Sequence, residues 1–411
     1  MPFDADVLII GAGPAGSLAA AQLLRRGYSV LMLEKEQFPR FSIGESLLPQ
    51  TMGLLEEAGL LQAVVEGGFQ HKNGAAFVRG ERRTEFDFRE KSSPGWGSTY
   101  QVQRGAFDKV LADAVESRGA QIRYRHEITA AQVAGDGVRL SVKDAAGQAL
   151  ELSGRFVLDA SGNAKVLPRL LKLGRPSSFP PRRAIFTHVQ DGIPSTSGFD
   201  RNKILVTVHP AHVDVWYWLI PFSNGRCSLG IVASEDFLAP YGGDRDLTAD
   251  LKALQFQAPG LKDLLKDAVW DTPARQIVGY ASDVSALYGQ NFALLGNAGE
   301  FLDPVFSSGV TIAFKSATLA AELLDQRFKG ASVDWERDYS AALRKGVDCF
   351  RSFVESWYRG GFQDILFHEK QDPGIRRMIC SILAGYAWDE GNPYVAEPKR
   401  LMALEEICAP A

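Results

Sequence analysis

An α/β fold is predicted, with a parallel sheet near the N-terminus, an inserted, mostly antiparallel sheet, and helices toward the C-terminus. Three observations predict it. The apolar run Val7 to Ile10 feeds a glycine-rich turn, an apolar helical stretch and a second strand. Between residues 171 and 285 short strands recur between turn residues, as at Lys203 to Val208, Asp214 to Ile220 and Cys227 to Val232. Beyond residue 330, Phe350, Phe353, Trp357, Tyr358, Phe362, Ile365 and Leu366 recur at helical spacing, the pattern of a packed core face.

The 411 residues suffice for one composite fold or two domains sharing a core. With 45% hydrophobic and 23% charged residues the chain reads as globular, not disordered or fibrous. Its 45 basic and 49 acidic residues leave a net charge of −4, which argues against a nucleic-acid partner. Cys227, Cys349, Cys380 and Cys408 lie far apart, so neither a zinc site nor a disulfide framework is expected, and a reducing cytoplasm fits best. The six histidines show no metal-ligand spacing; His209 and His212 read as a loop pair. The residues before Val7 lack the features of a signal peptide, and no apolar run is long enough to span a bilayer. Met378 to Trp388, after Arg376 and Arg377, reads first as an amphipathic helix packed on the domain, with contact to a membrane surface or a roof over a pocket as the alternatives.

The N-terminal unit carries the first functional signal. Gly11-Ala-Gly13-Pro14-Ala15-Gly16 lies between a strand and a helical stretch, Ser17 to Arg26. The first glycine permits a tight turn, the second a close approach to a pyrophosphate, and the third close packing of helix on strand. The helix N-terminus offers N–H groups and positive dipole to an anion. Glu34, followed by Lys35, ends the next strand 18 residues past Gly16, where an acid can accept from ribose hydroxyls. No second such unit follows, so one dinucleotide is expected to stay bound.

Further segments identify that dinucleotide as FAD. They are Arg40 to Pro49 with Glu45 and Ser46, Gln103 to Asp108 with Arg104, the strand ending at Asp159 before Gly162, and the strand ending in Gly296-Asn297-Ala298-Gly299. Both strands end where an open α/β sheet places its ligand. Together these segments resemble the FAD-binding fold of the p-hydroxybenzoate hydroxylase type, and nearly the whole chain resembles its flavin-dependent halogenase and related monooxygenase branch. The resemblance implies a Rossmann-type FAD-binding domain with an inserted mostly antiparallel substrate sheet and C-terminal helices. The FAD domain is expected from residues 1–70, 101–170 and 286–330, the substrate domain from 71–100 and 171–285, and a helical cover from 331–411.

Three patterns favour halogenation within that branch. Trp216-Tyr217-Trp218-Leu219-Ile220-Pro221 is similar to the family's W-x-W-x-I-P signature, whose tryptophans would wall the flavin off from an organic substrate; an aromatic strand packing a sheet gives the same pattern. Phe301, Pro304, Ser307 and Gly309 match F-x-x-P-x-x-S-x-G, and a helix is read from Ser307 to Leu324. The resemblance implies that the amides of Ser308 and Gly309 hold a halide, with Gly309 and Val310 also at the flavin. Lys72, in Phe69-Gln-His-Lys-Asn-Gly-Ala-Ala-Phe77, matches the family's active-site lysine, which directs a hypohalous oxidant made from reduced FAD, oxygen and chloride or bromide. Read alone, it is equally a surface lysine beside the Asn73-Gly74 turn.

Two departures bear on the substrate. Asn297 stands where the family often has aspartate. Phe306 stands where tryptophan halogenases carry glutamate, so a phenol, pyrrole or carrier-bound aromatic acyl group is favoured over free tryptophan. The leading expectation is an FAD-dependent halogenase supplied with reduced flavin by a separate reductase. The alternatives are a flavin monooxygenase or oxidoreductase that touches its substrate directly, and a flavoprotein acting on a protein partner.

Overall fold

The computed structural model describes residues 3–133, 135–243 and 245–409. Residues 1, 2, 134, 244, 410 and 411, which fall within the segments assigned above, lie outside the described residues. Two sheets, each of seven strands, organise the chain. In the first, Ala5–Ile10 lies between Val30–Glu34 and the second half of Ala149–Asp159, all parallel. Gln121–Tyr124 and Phe292–Leu294 extend this parallel core on either side. Every residue of Val30–Glu34 is buried, as expected of a parallel strand covered on both faces. The first half of Ala149–Asp159 turns to antiparallel pairing with Val138–Lys143.

The turn after the first strand requires its glycines for different reasons. Gly11 has φ 93°, and a Cβ there would lie 2.7 Å from the carbonyl oxygen of Ala160. A Cβ on Gly16 would meet the carbonyl oxygen of Gly11 at 2.1 Å, so only glycine lets the helix seat against the strand. That helix, Pro14–Arg25, opens at proline, where a missing N–H costs nothing, and so begins three residues before the expected start.

The second sheet runs in the order Arg275–Val278, Arg182–Gln190, Arg226–Ser234, Trp216–Pro221, Lys203–Val208, Gly74–Arg79 and Arg82–Asp87. Its pairings are antiparallel apart from Lys203–Val208 with Gly74–Arg79. The strand expected from Asp214 begins at Trp216, because Val215 N–H is turned back to the His212 carbonyl. Strand alternation sorts the aromatic run: Trp216, Trp218 and Ile220 join the core shared with the first sheet, while Tyr217 and Leu219 join a separate core. Leu247–Gln255 and Pro259–Leu264 back that second core. Gly230 faces Trp218, where a Cβ would overlap the indole at 2.2 Å. A glycine in mid-strand thus makes room for the ring.

The long helix Gly309–Phe328 packs beside Pro14–Arg25, pinned by a 2.9 Å hydrogen bond from Gln22 to Thr318. Beyond it, Ala342–Arg359 and Gly361–Leu366 bury Phe350, Phe353, Trp357 and Phe362 completely. Phe353, Trp357 and Phe362 meet Phe306 edge-on. Pro373–Leu383 is held to the body of the fold by Ser381, whose hydroxyl accepts from the amides of Ser92 and Ser93. No helix among the described residues is long and apolar enough to cross a membrane.

Candidate active site

A cavity of about 460 Å³ opens at the carboxyl ends of the first sheet and reaches the tryptophan face of the second. Its near end is lined by Gly11, Gly13, Pro14, Ala15, Glu34 and Lys35, its middle by Glu45, Ser46, Arg104 and Gly162. Its far end is formed by Trp216, Trp218, Asn297, Phe301, Pro304, Ser307, Gly309 and Val310. The ends of four strands of the first sheet and the starts of three helices, at Pro14, Arg104 and Gly309, therefore bring most of these sequence-predicted residues together.

At the near end, Glu34 accepts the Ala12 and Glu36 amides, each at 2.9 Å, which fixes its carboxylate at the edge of the glycine turn. Gly13 has φ −71°, a conformation open to any residue, so its lack of a side chain serves close approach rather than backbone freedom. A Cβ there would meet the Arg40 guanidinium at 3.2 Å. Arg40 is tied to Asp108 at 3.1 Å, and Arg104 grips the same carboxylate with two bonds of 2.7 and 3.0 Å. A helix N-terminus, a side-chain-free backbone and a fixed guanidinium converge on one place. Those donors fit a pyrophosphate, and the continuous cavity to the tryptophan face fits the rest of FAD.

Several expected residues stand behind this lining. Asp159 does not reach the cavity: its buried carboxylate accepts the amides of Ser161 and Leu167 at 2.9 and 2.6 Å, and so shapes the turn that carries Gly162. Burial raises its pKa against those bonds. Gly16 and Gly296 act through packing, the latter with φ 52° and no room for a Cβ beside Ala313. The helix expected from Ser307 begins at Gly309, because Ser307 takes a left-handed φ of 57° and Ser308 becomes the cap. Ser308 is buried and does not line the cavity, whereas the helix start at Gly309 and Val310 does. Among the described residues the C-terminal helices contribute none of the cavity's lining; they reach it through Tyr358, whose hydroxyl accepts from the lining Trp216.

Lys72 is buried rather than displayed on a turn, since it ends the short strand Gln70–Lys72 under the Phe88 ring. Its Nζ donates to Ser46 Oγ at 2.7 Å and to the Leu47 carbonyl at 2.8 Å. Ser46 lines the cavity, so one hydroxyl stands between it and the amine. Desolvation lowers the lysine pKa to about 7.

Other residues at this site carried no motif of their own. His188 shares a 2.6 Å hydrogen bond with Glu45, bringing the strand Arg182–Gln190 to the same loop. Tyr280 lines the far end, edge-on to Phe301. Asp108 was detectable, lying four residues after Arg104 on a helix, but His188 and Tyr280 are brought in only by the tertiary fold. Asn297 donates to Asn163 at 3.2 Å, a bond an aspartate at that position would not donate. His209 and His212 lie on the back of the second sheet, their rings 5.0 Å apart beside Phe237.

Comparison with known proteins agrees with this geometry. Residues 4–177 match the FAD binding domain family. The 1H-pyrrole-2-carbonyl-[peptidyl-carrier protein] chlorinase of Pseudomonas fluorescens is 29% identical over 93% of this chain and 89% of its own. The flavin-dependent halogenase rdc2 of Metacordyceps chlamydosporia is 30% identical over 82% of this chain and 67% of its own. Among solved structures, a flavoprotein/dehydrogenase from Cytophaga hutchinsonii superposes with a TM-score of 0.94 at 42% identity, covering 98% of each chain. The flavin-dependent brominase Bmp2 superposes with a TM-score of 0.82 at 28% identity, again over 98% of each chain. With its cavity, its turn and these relatives, the chain is an FAD-dependent oxidoreductase that belongs to the flavin-dependent halogenase family.

Proposed function

We propose that this chain halogenates a phenolic, pyrrolic or carrier-bound aromatic ring, using FAD reduced by a separate reductase, with Lys72 directing the oxidant. When bound, reduced FAD and oxygen supply the two-electron oxidising power that raises chloride or bromide to the hypohalous level. The chain's own residues bind, exclude and direct. Gly11, Gly13, Glu34 and Arg104 hold the dinucleotide end, and the backbone around Ser308 and Gly309 receives the halide at a helix start. Trp216 and Trp218 keep an organic ring away from the flavin, so that only a small oxidant leaves it.

The observation that carries this reading is the buried Lys72 amine bonded to the cavity-lining Ser46. In its neutral form, accessible because burial sets the pKa to about 7, the amine has two hydrogens, which Ser46 and Leu47 accept. Its lone pair is then free to accept from, or react with, a hypohalous acid. The carrier-bound option gains support from relatives named for pyrrolyl-carrier substrates, and Phe306 in place of glutamate weighs against free tryptophan. Asn297 and the 42% identity to the Cytophaga hutchinsonii flavoprotein/dehydrogenase favour a second reading, direct flavin oxidoreduction of a small molecule.

The test supplies FAD, a flavin reductase, NADH, oxygen and bromide or chloride to a pool of phenols, pyrroles and pantetheine-linked pyrroles, with products read by mass spectrometry. Halogenated product is expected from the wild type. Lys72→Ala is expected to abolish it while FAD binding and peroxide release persist, and Lys72→Arg not to restore it, because a guanidinium keeps its proton. Products that are hydroxylated or dehydrogenated but never halogenated would establish the second reading.

A further inference from the structure

Behind the far end of the cavity lies a buried carboxylate that none of the motifs accounts for. Asp303, in the loop between Phe301 and Ser307, is 3% exposed. Its Oδ2 accepts the hydroxyls of Tyr358 at 2.7 Å and Tyr280 at 3.0 Å, and its Oδ1 accepts the Val305 amide at 3.0 Å. Trp216 Nε1 lies 3.1 Å from the Tyr358 hydroxyl. An indole N–H can only donate, so the Tyr358 oxygen accepts from Trp216 and passes its own hydrogen to Asp303. The direction of the chain is therefore fixed: Trp216 to Tyr358 to Asp303. The Arg182 guanidinium lies 3.5 Å over the Tyr358 ring and donates to the Asp214 carbonyl, holding that ring from its other face.

We propose that Asp303 is a positioning residue that sets the aromatic wall of the flavin cavity, holding Tyr280 directly and Trp216 through the hydroxyl of Tyr358. The network joins the loop that opens the long helix, the tryptophan strand, the Tyr280 segment and the C-terminal helix Ala342–Arg359. Trp216 and Tyr280 both line the cavity, and Phe301 rests edge-on against Tyr280 with centroids 5.7 Å apart. Without Tyr358 the indole N–H is a buried donor lacking a partner, and the ring loses the bond that selects its orientation. A wall that separates oxidant formation from the organic substrate works only while it keeps one geometry. This inference rests on the role proposed above for Trp216.

The test uses Tyr358→Phe in the full chain, which keeps the ring under Arg182 and removes one hydroxyl outside the cavity. The ¹⁵N-indole resonance of Trp216, identified by its loss in Trp216→Phe, is followed in the protein without added FAD. Its N–H is expected to exchange with water about tenfold faster in Tyr358→Phe than in the wild type. In the loaded enzyme the ratio of halogenated product to released hydrogen peroxide is expected to fall about fivefold, with FAD affinity unchanged. Tyr280→Phe, which removes one bond to Asp303 and leaves Trp216 paired, provides a second variant if the first folds poorly; its product-to-peroxide ratio is expected to fall in the same direction. Unchanged indole exchange in Tyr358→Phe, or an unchanged product ratio in either variant, overturns the inference. A wild type that never halogenates defeats the proposed function, and the indole exchange still decides whether the network holds the wall.

Discussion

A lysine sealed from water destabilises the fold whenever it carries its proton, and Lys72 is 1% exposed with its pKa lowered to about 7 by desolvation. In the unfolded chain the same amine titrates near 10.4, so between these values the unfolded state binds more protons than the folded one. Stability attributable to this group therefore rises with pH across that window, by at most about 1.4 kcal/mol per unit. Below pH 7 both states are protonated and the penalty is fully present. Lys72→Met removes the titration, though it leaves Ser46 Oγ and the Leu47 carbonyl without their donor. In urea unfolding from pH 6.5 to 9.5, wild type is expected to gain roughly 3 kcal/mol relative to Lys72→Met, most of it above pH 7. A pH-independent difference between the two proteins would mean that the amine is hydrated in solution.

The turn after the first strand separates two jobs that the glycine pattern compresses into one motif. Gly11 is conformational: its φ of 93° and the Ala160 carbonyl 2.7 Å from a Cβ leave no room for alanine. Gly13 is different, for its φ of −71° suits any residue and its nearest neighbour, the Arg40 guanidinium at 3.2 Å from a Cβ, needs to yield by only a few tenths of an ångström. Gly11→Ala is expected to lower unfolding stability by about 2 kcal/mol or more. Gly13→Val is expected to keep the wild-type melting temperature without FAD and to weaken FAD binding by about 100-fold or more, measured by flavin fluorescence. Undiminished FAD affinity in Gly13→Val would remove the pyrophosphate from this turn. The pattern of glycines was legible in sequence, as was the alternation that turns Trp216 and Trp218 to one face, because both are local periodicities. The start of the long helix was not. Serine in the left-handed region at position 307 has no local signature, so the helix begins at Gly309, two residues beyond its expected start. Asp159 misled for a related reason: a strand-end acid can face a ligand or cap its own turn, and the amides of Ser161 and Leu167 claim it here.

Across the whole molecule, what the sequence leaves hidden is long-range pairing. His188 meets Glu45 across 143 positions and Tyr358 meets Asp303 across 55, and no periodicity marks either pair. The division of labour between the two sheets is more readable and has a kinetic consequence. The first sheet carries the unit of strand, glycine turn and helix, and the second, antiparallel except for one pairing, supplies no other such unit among the described residues. Trp216 and Trp218 line the far end of the cavity, and their proposed role as the wall beside the flavin leaves a nicotinamide ring no stacking face there. Electrons are therefore expected to arrive on flavin already reduced elsewhere. In anaerobic stopped flow, NADH or NADPH alone is expected to bleach the bound FAD at least about 100-fold more slowly than the same nucleotide with a flavin reductase. The reductase effect should also persist when the two proteins are separated by a membrane permeable to flavin, since diffusing reduced FAD needs no contact between them. Rapid bleaching by a nicotinamide nucleotide alone would require a stacking site that the tryptophan face does not leave, and would move the chain to direct flavin oxidoreduction.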